Sequence, residues 1–324
     1  MSLDKGLIEL TVGEIAQPVR VDKYVASCRD DVSRSLVADA EITINGKPAK
    51  NSSKVSCGDR IVVSYSQECF GEIEGEDLPL HILYEDADLL VVDKAQGMVV
   101  HPGAGNLHHT LVNALVFRYG RDFESGDPAS SKNADSAADI DEDEAWQLDP
   151  LRPGIVHRLD KDTSGTMVIA LNRESHRKLA AQFKEHTVSK VYIAICKGFF
   201  TNKRGRIQTN LVRDRKDRKK FTICQPPKGK SADTSFVVLR QFEGYALVRI
   251  SIHTGRTHQI RVHMASIGHP LLGDPIYARP DRTFPQATLM LHSFSLELDH
   301  PRDGRRLNFR SPMPQRFKQI IRQL

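Results

Sequence analysis

Hydrophobic and polar positions along this chain change period several times, and the changes mark out its elements. In the first 70 residues, segments 21–28 and 33–40 carry helical spacing, each with a polar capping candidate near its start, Asp22 and Ser33. Glu41-Ile-Thr-Ile-Asn-Gly-Lys-Pro then alternates into Asn45-Gly46, a dipeptide suited to a two-residue hairpin turn. A further strand is predicted over 60–65. Residues 73–79 are polar and read as a linker between a module at 1–72 and a main domain at 80–324. That domain opens with predicted strands at 80–84 and 89–92 around an acidic turn, Glu85-Asp86-Ala87-Asp88.

Beyond residue 150, short apolar strands outnumber helical periods. Strands are predicted at 166–171, 190–196, 235–239 and 246–252, and helices at 174–185 and 257–267. Thr257 is the capping candidate of the last helix, with Ile260, Met264 and Ile267 on its buried face. Runs of strands with few helices predict an α+β domain on a mixed or antiparallel sheet. Residues 122–149 break this pattern. They are rich in Ser, Ala, Asp and Glu, nearly free of apolar residues before Trp146, and read as a flexible insertion without a catalytic part.

Charge sharpens the division. The chain carries +5 overall, yet residues 121–149 hold 2 basic and 10 acidic residues, and residues 1–74 hold 9 and 12. The rest therefore holds 35 basic against 19 acidic residues, a surplus that suits either a polyanionic partner or plain solubility. No apolar run approaches the roughly 20 residues that span a bilayer, so no membrane is expected. The five cysteines are scattered without a Cys-x-x-Cys pair, which argues against a disulfide framework or a cysteine zinc site and for a reducing cytoplasm. The lack of exposed apolar repeats points to a monomer.

Two stretches concentrate chemistry. In Arg152-Pro-Gly-Ile-Val-His-Arg-Leu-Asp-Lys-Asp-Thr-Ser-Gly, apolar strands flank a loop that packs His157, Arg158, Asp160, Lys161 and Asp162 together. Turns collect Asp, Thr, Ser and Gly for backbone reasons alone. Charges abutting a buried strand, however, carry a desolvation cost and tend to be paired or functional. The second stretch, Ser251-Ile-His-Thr-Gly-Arg-Thr-His-Gln-Ile-Arg-Val-His, ends a strand and begins a helix. Its histidines read as surface or core hydrogen-bonding groups. His258 and His263, five apart on a helix, diverge too far to share a metal, so no metal is expected.

Together these stretches resemble the RluA family of pseudouridine synthases. The resemblance extends through Tyr84-Glu-Asp-Ala-Asp-Leu-Leu-Val-Val-Asp-Lys, Val100-His-Pro-Gly-Ala-Gly-Asn, Lys190-Val-Tyr-Ile-Ala and Leu272-Gly-Asp-Pro-Ile-Tyr. It implies an isomerase that rearranges uridine in RNA, with no cofactor. The family match assigns Asp160 as the catalytic carboxylate, Tyr192 as the ring that stacks on the target base, and Arg256 as the basic partner of the aspartate. Arg158 is then the side chain that enters the RNA helix, with His157, Lys161, His258 and Arg261 completing an RNA-binding surface. The module at 1–72 resembles an S4 RNA-binding domain, with a structural N-terminal cap as the alternative reading that its net acidity raises. Val100-His-Pro-Gly-Ala-Gly-Asn with that module is most similar to the branch acting on helix 69 of 23S ribosomal RNA.

The chemistry agrees with those roles. Moving C1′ from N1 to C5 of uracil is redox-neutral, and no phosphate loop, dinucleotide fold or metal motif stands in the sequence. The carboxylate could attack the base, attack the sugar or remove a sugar proton. A base held in a stem must first be flipped out, at a few kcal/mol. Arg213-Asp-Arg-Lys-Asp-Arg-Lys-Lys is a candidate for phosphate contacts or a solvated loop. The competing reading is an RNA-binding ribosome-assembly factor. Deleting residues 122–149 should leave turnover largely intact; a large loss of rate in a folded variant would contradict the reading of that segment as an insertion.

Overall fold

The computed structural model describes residues 3–15, 17–28, 37, 40–68, 73–103, 106–120, 153–214, 216–217 and 219–324. The predicted helix at 33–40 and the acidic insertion at 122–149 fall almost wholly outside these residues. The chain divides into two compact units, Met1–Glu72 and Ile73–Leu324.

The first unit is built on strands β1 (Leu3–Thr11), β2 (Val19–Arg20), β3 (Glu41–Ile44), β4 (Lys47–Ala49), β5 (Lys54–Val55) and β6 (Arg60–Glu68), with helix α1 (Val21–Cys28). β3 and β4 form the expected hairpin, with Asn45 and Gly46 both at positive φ as a two-residue turn demands. The four-stranded sheet runs β1-β6-β3-β4, and β2 pairs with β5. β1 was not predicted; it pairs with β6 along all nine of its residues and buries Ile8 against Val21, Val25, Ile42 and Ile61.

The second unit holds a ten-stranded mixed sheet. Its strands are β7 (Ile82–Glu85), β8 (Leu89–Lys94), β9 (Ser164–Ala170), β10 (Ser189–Lys197), β11 (Arg204–Arg213), β12 (Phe221–Cys224), β13 (Lys230–Gln241), β14 (Tyr245–Ile252), β15 (Leu291–Asp299) and β16 (Arg306–Arg310). The order is β12-β11-β13-β14-β10-β15-β9-β8-β7, with β16 on β15. All pairs are antiparallel except β9 with β15. β15 thus stitches a half built from residues 82–170 to a half built from residues 189–252. Among the described residues four helices complete the unit: α2 (Leu111–Tyr119), α3 (Arg173–Lys184), α4 (Gln259–Ser266) and α5 (Gln315–Gln323). This is the expected α+β class.

Two expectations need correction. Residues 73–79 are not a free linker, because the segment is bonded to α2: Glu76 N–H donates to Asn113 O, and the Glu76 carboxylate accepts from His109 N–H. α4 is not capped by Thr257. His258 occupies the cap position at φ 57° without a side-chain capping bond, and Gln259 Oε1 accepts the Arg256 N–H instead. α2 escaped prediction because six of its nine residues are buried, which leaves no polar stripe to give the helical period away.

At the seam, β9 and β15 approach too closely for a side chain. Gly165 has φ 119°, and a Cβ there would overlap the Ser293 carbonyl. Next to it, buried Thr166 donates to Ser293 O at 2.9 Å, and the Ser293 hydroxyl returns a bond to Thr166 O at 3.1 Å. A larger apolar residue at 166 could not make that exchange.

Several buried histidines serve as neutral hydrogen-bonding groups. His263 sits between Thr234 and Thr209 hydroxyls, both at 2.9 Å, and His292 meets Ser164 Oγ at 2.9 Å. Burial pushes both rings down to about 4, and His157 to about 3. Between those values and the ordinary pKa near 6.5, the unfolded chain binds protons that the native state refuses, so stability is complete above about 6.5 and lost as pH falls. Urea unfolding should therefore give a lower midpoint at pH 5 than at pH 7.5; an equal or higher midpoint at pH 5 would show these rings protonating freely in the native state.

Candidate active site

The loop between the Gly154–Ile155 turn and β9 carries Asp160, and its backbone is tied down residue by residue. Asp160 O accepts from Thr163 N–H at 3.0 Å, and Lys161 O from Gly97 N–H at 2.9 Å. Gln96 Nε2 donates to Asp162 O at 2.9 Å and to Leu289 O at 3.0 Å. Lys94 reaches the same loop from the end of β8. Its side chain is 1% exposed, and its Nζ donates to Ala95 O, Met98 O and Lys161 O at 3.0, 2.8 and 3.2 Å. Burial draws this ammonium down to about 7, against the pull of Asp160 and Asp162. Three carbonyl acceptors match its three N–H bonds, which makes Lys94 a brace for the loop.

Within that frame the side chains alternate. Arg158 is exposed, Leu159 is buried, Asp160 is 19% exposed and Lys161 is exposed. Asp160 Oδ2 meets Arg261 Nη1 at 3.1 Å and His258 Nε2 at 3.8 Å. Among the described residues, Oδ1 has no polar partner. Arg261 is 4% exposed, and its other edge grips Asp274 through two bonds, Nε to Oδ2 at 2.8 Å and Nη2 to Oδ1 at 2.9 Å. Hydrogen bonding and charge from the two aspartates hold Arg261 above even its ordinary basicity, against a large cost of burial. Asp274 is lowered despite burial, chiefly by Arg261, and also accepts Ile276 and Tyr277 N–H.

The pairing assigned to Arg256 therefore falls to Arg261. Arg256 stands in the turn before α4, and its Nε donates to Ser231 O at 3.1 Å, on β13. Arg261 lies within the first turn of α4 on its buried face, so its guanidinium points inward to the aspartate. His157 also departs from the expected RNA-facing role. Its ring stacks on Phe183 at 4.5 Å and 15°, and Nε2 accepts Val168 N–H at 3.0 Å. With burial holding it neutral, it anchors the loop to β9.

Tyr192 lies on β10 opposite Ser293 of β15, and Ser293 in turn faces Gly165 at the start of β9. That row sets the phenol at the seam beside the Asp160 loop. It is 7% exposed, and burial, with the Asp160 charge, pushes its pKa well above the ordinary range. Lys190, two residues earlier on the same strand face, is also buried. Its ammonium lies over Phe183 at 5.7 Å, and burial with the nearby Arg256 charge lowers it to about 8. His258, Phe221 and Tyr277 close the far side, with both aromatic rings edge-on to the imidazole at 5.8 and 5.5 Å. Asp274, Tyr277, Lys94 and Gln96 had no role in the sequence reading. The signals for three of them lay in the quoted motifs, Leu272-Gly-Asp-Pro-Ile-Tyr and the strand ending Val-Val-Asp-Lys. No helix among the described residues is long and apolar enough to cross a membrane.

A buried pair that loses one member leaves the other charge unmatched, at about 3–5 kcal/mol. Asp274→Ala should reduce unfolding free energy by that order, measured by urea titration. Replacing both Arg261 and Asp274 with Met should recover much of the loss; equal stability of the single variant and the parent would deny that the pair is desolvated.

The comparisons with known proteins join this geometry. Residues 88–266 match the family described as RNA pseudouridylate synthase. An RNA pseudouridine synthase of Bacillus subtilis is 37% identical, over 98% of this chain and 98% of its own. The ribosomal large subunit pseudouridine synthase D of Pseudomonas aeruginosa is 37% identical, over 93% of this chain and 91% of its own. Among solved structures, human RNA pseudouridylate synthase domain containing 1 superposes with a TM-score of 0.54 at 25% identity, covering 77% of this chain and 96% of that one. With the Asp160 loop held by donors to its carbonyls and Asp160 seated on a buried arginine, and with relatives aligned over nearly its whole length, the chain belongs to the RluA-type family of RNA pseudouridine synthases.

Proposed function

We propose that this pseudouridine synthase acts in the cytoplasm on large-subunit ribosomal RNA, at the helix 69 stem-loop of 23S rRNA, with Asp160 as the attacking group. Relatives named ribosomal large subunit pseudouridine synthase D in Pseudomonas aeruginosa and Escherichia coli support the RNA class. The observation that carries the chemical part is the asymmetry of one carboxylate: Oδ2 is held by Arg261, while Oδ1 has no polar partner among the described residues.

Isomerisation breaks the N1–C1′ bond, turns the uracil and forms a C5–C1′ bond; C5 gives up a proton and N1 gains one. An oriented carboxylate oxygen can bond covalently to the base or the sugar while this exchange occurs. The fixed charge of Arg261 offsets the cost of keeping that carboxylate in a site partly shut off from water. Tyr192 offers a ring face to the extruded uracil. Its raised pKa keeps the phenol neutral, which suits a stacking platform and a hydrogen-bond donor better than a base. Arg158, exposed two residues before Asp160, is placed to enter the RNA helix and fill the gap left by the flipped nucleotide. Exposed Lys161 and Arg213 supply phosphate contacts around the opening.

Asp160→Asn should abolish pseudouridine formation in a 23S-derived stem-loop while circular dichroism and RNA affinity stay near those of the parent. Any pseudouridine formed by a pure preparation of that variant removes Asp160 from the attacking role. Chemical mapping of ribosomal RNA from a deletion strain should show unmodified uridines in helix 69; loss at another site would reassign the target without touching the chemistry.

A further inference from the structure

Tyr277 closes the Leu272-Gly-Asp-Pro-Ile-Tyr segment, and unlike Asp274 of the same segment it has no task in the reaction as described. Its contacts converge on the groups around Asp160. The hydroxyl receives the Phe221 N–H at 2.8 Å and lies 2.9 Å from His258 Nδ1. The ring lies under the Arg261 guanidinium at 5.2 Å, and the Tyr277 N–H is bonded to Asp274 Oδ1 at 3.0 Å.

Proton bookkeeping on this hydroxyl decides the state of His258. A backbone N–H can only donate, so Tyr277 Oη is the acceptor from Phe221. Its own proton then needs an acceptor, and among the described residues the only one in range is His258 Nδ1. A neutral imidazole that accepts at Nδ1 carries its proton at Nε2. Nε2 is the atom that faces Asp160 Oδ2, at 3.8 Å. The other tautomer would aim a lone pair at a carboxylate and leave the Tyr277 proton unused. Burial favours the neutral ring over the cation. His258 is also held in the left-handed region at φ 57°, where a non-glycine residue persists only if its surroundings fix it.

We propose that Tyr277 is a positioning residue for the uridine isomerisation: it locks His258 in the Nε2–H tautomer, so that an N–H joins Arg261 in facing Asp160 Oδ2 and leaves Oδ1 as the reacting oxygen. The role rests on the pseudouridine synthase reading of Asp160. The tautomer itself can be read without RNA or turnover, so the two can fail separately.

Long-range nitrogen–proton correlation spectra of the full-length enzyme with labelled histidine should show His258 protonated at Nε2 and bare at Nδ1. Tyr277→Phe should mix the tautomers and slow single-turnover pseudouridine formation by about tenfold, the order seen when the partner that orients a catalytic group is lost. RNA affinity should hold within about twofold. His258→Gln keeps an N–H near the Nε2 position without help from Tyr277, so adding Tyr277→Phe to it should cost little more. A parent enzyme with His258 protonated at Nδ1 overturns the proposal even if the Tyr277 variant fails to fold. So does a Tyr277→Phe enzyme with unchanged tautomer and rate.

Discussion

One guanidinium shared by two carboxylates holds this site together. Removing an arginine from water costs several kcal/mol, and a single carboxylate at about 4 Å returns about 4 kcal/mol at the effective dielectric of a protein. One partner would therefore roughly break even. The bidentate grip of Asp274 tips the balance, and because it is fully satisfied within the fold it lets Arg261 present its remaining edge to Asp160. The aspartate then inherits an orientation that its own exposed loop could not impose. A lysine at 261, with three donors on a flexible stem, could not span the two carboxylates in this fixed geometry.

The same loop is held from the other direction by groups that donate to its carbonyls rather than to its side chains. Lys94, Gln96 and Gly97 arrive from the end of β8, and Arg261 from α4, on opposite sides of β15. The setting of the Asp160 carboxylate is thus a product of both halves of the sheet. Thr166 and Ser293 join those halves, and the absence of a side chain at Gly165 sets how near they come.

Much of this architecture was legible in the residues. Strands over 89–94, 164–170 and 189–197 announce themselves because both faces are buried along most of their length and each carries an apolar run, while 245–252 is apolar except for exposed Arg249 and half-buried Ser251. α3 shows an amphipathic period because one face meets solvent. α2 was hidden for the opposite reason, and β1 because its partner lies about 60 residues away. At the site, the family resemblance gave the aspartate's basic partner as Arg256, and the structure gives that pairing to Arg261. Arg256 and Arg261 are five residues apart at a turn-to-helix junction, and which of them points inward depends on where α4 begins. That in turn depends on the conformation of His258, a left-handed residue that no propensity favours. Asp274 and Tyr277 stand in the quoted Leu272-Gly-Asp-Pro-Ile-Tyr motif, but the motif does not name the groups they meet, because those contacts exist only after the chain has folded.

The place of β15 in the sheet also has a consequence in time. It is the last long strand in chain order, yet it lies in the middle of the sheet, between strands that begin at residues 164 and 189. Contacts such as Ser164 with His292 close a loop of well over a hundred residues, which is slow and entropically costly to form. A nascent chain that has released residues 80–266 already contains Asp160, Tyr192 and Arg261, but not the strand that joins the two halves carrying them. During synthesis, then, the sheet that carries Asp160 and Arg261 is not joined until the C-terminal segment inserts, and the site is completed late and all at once.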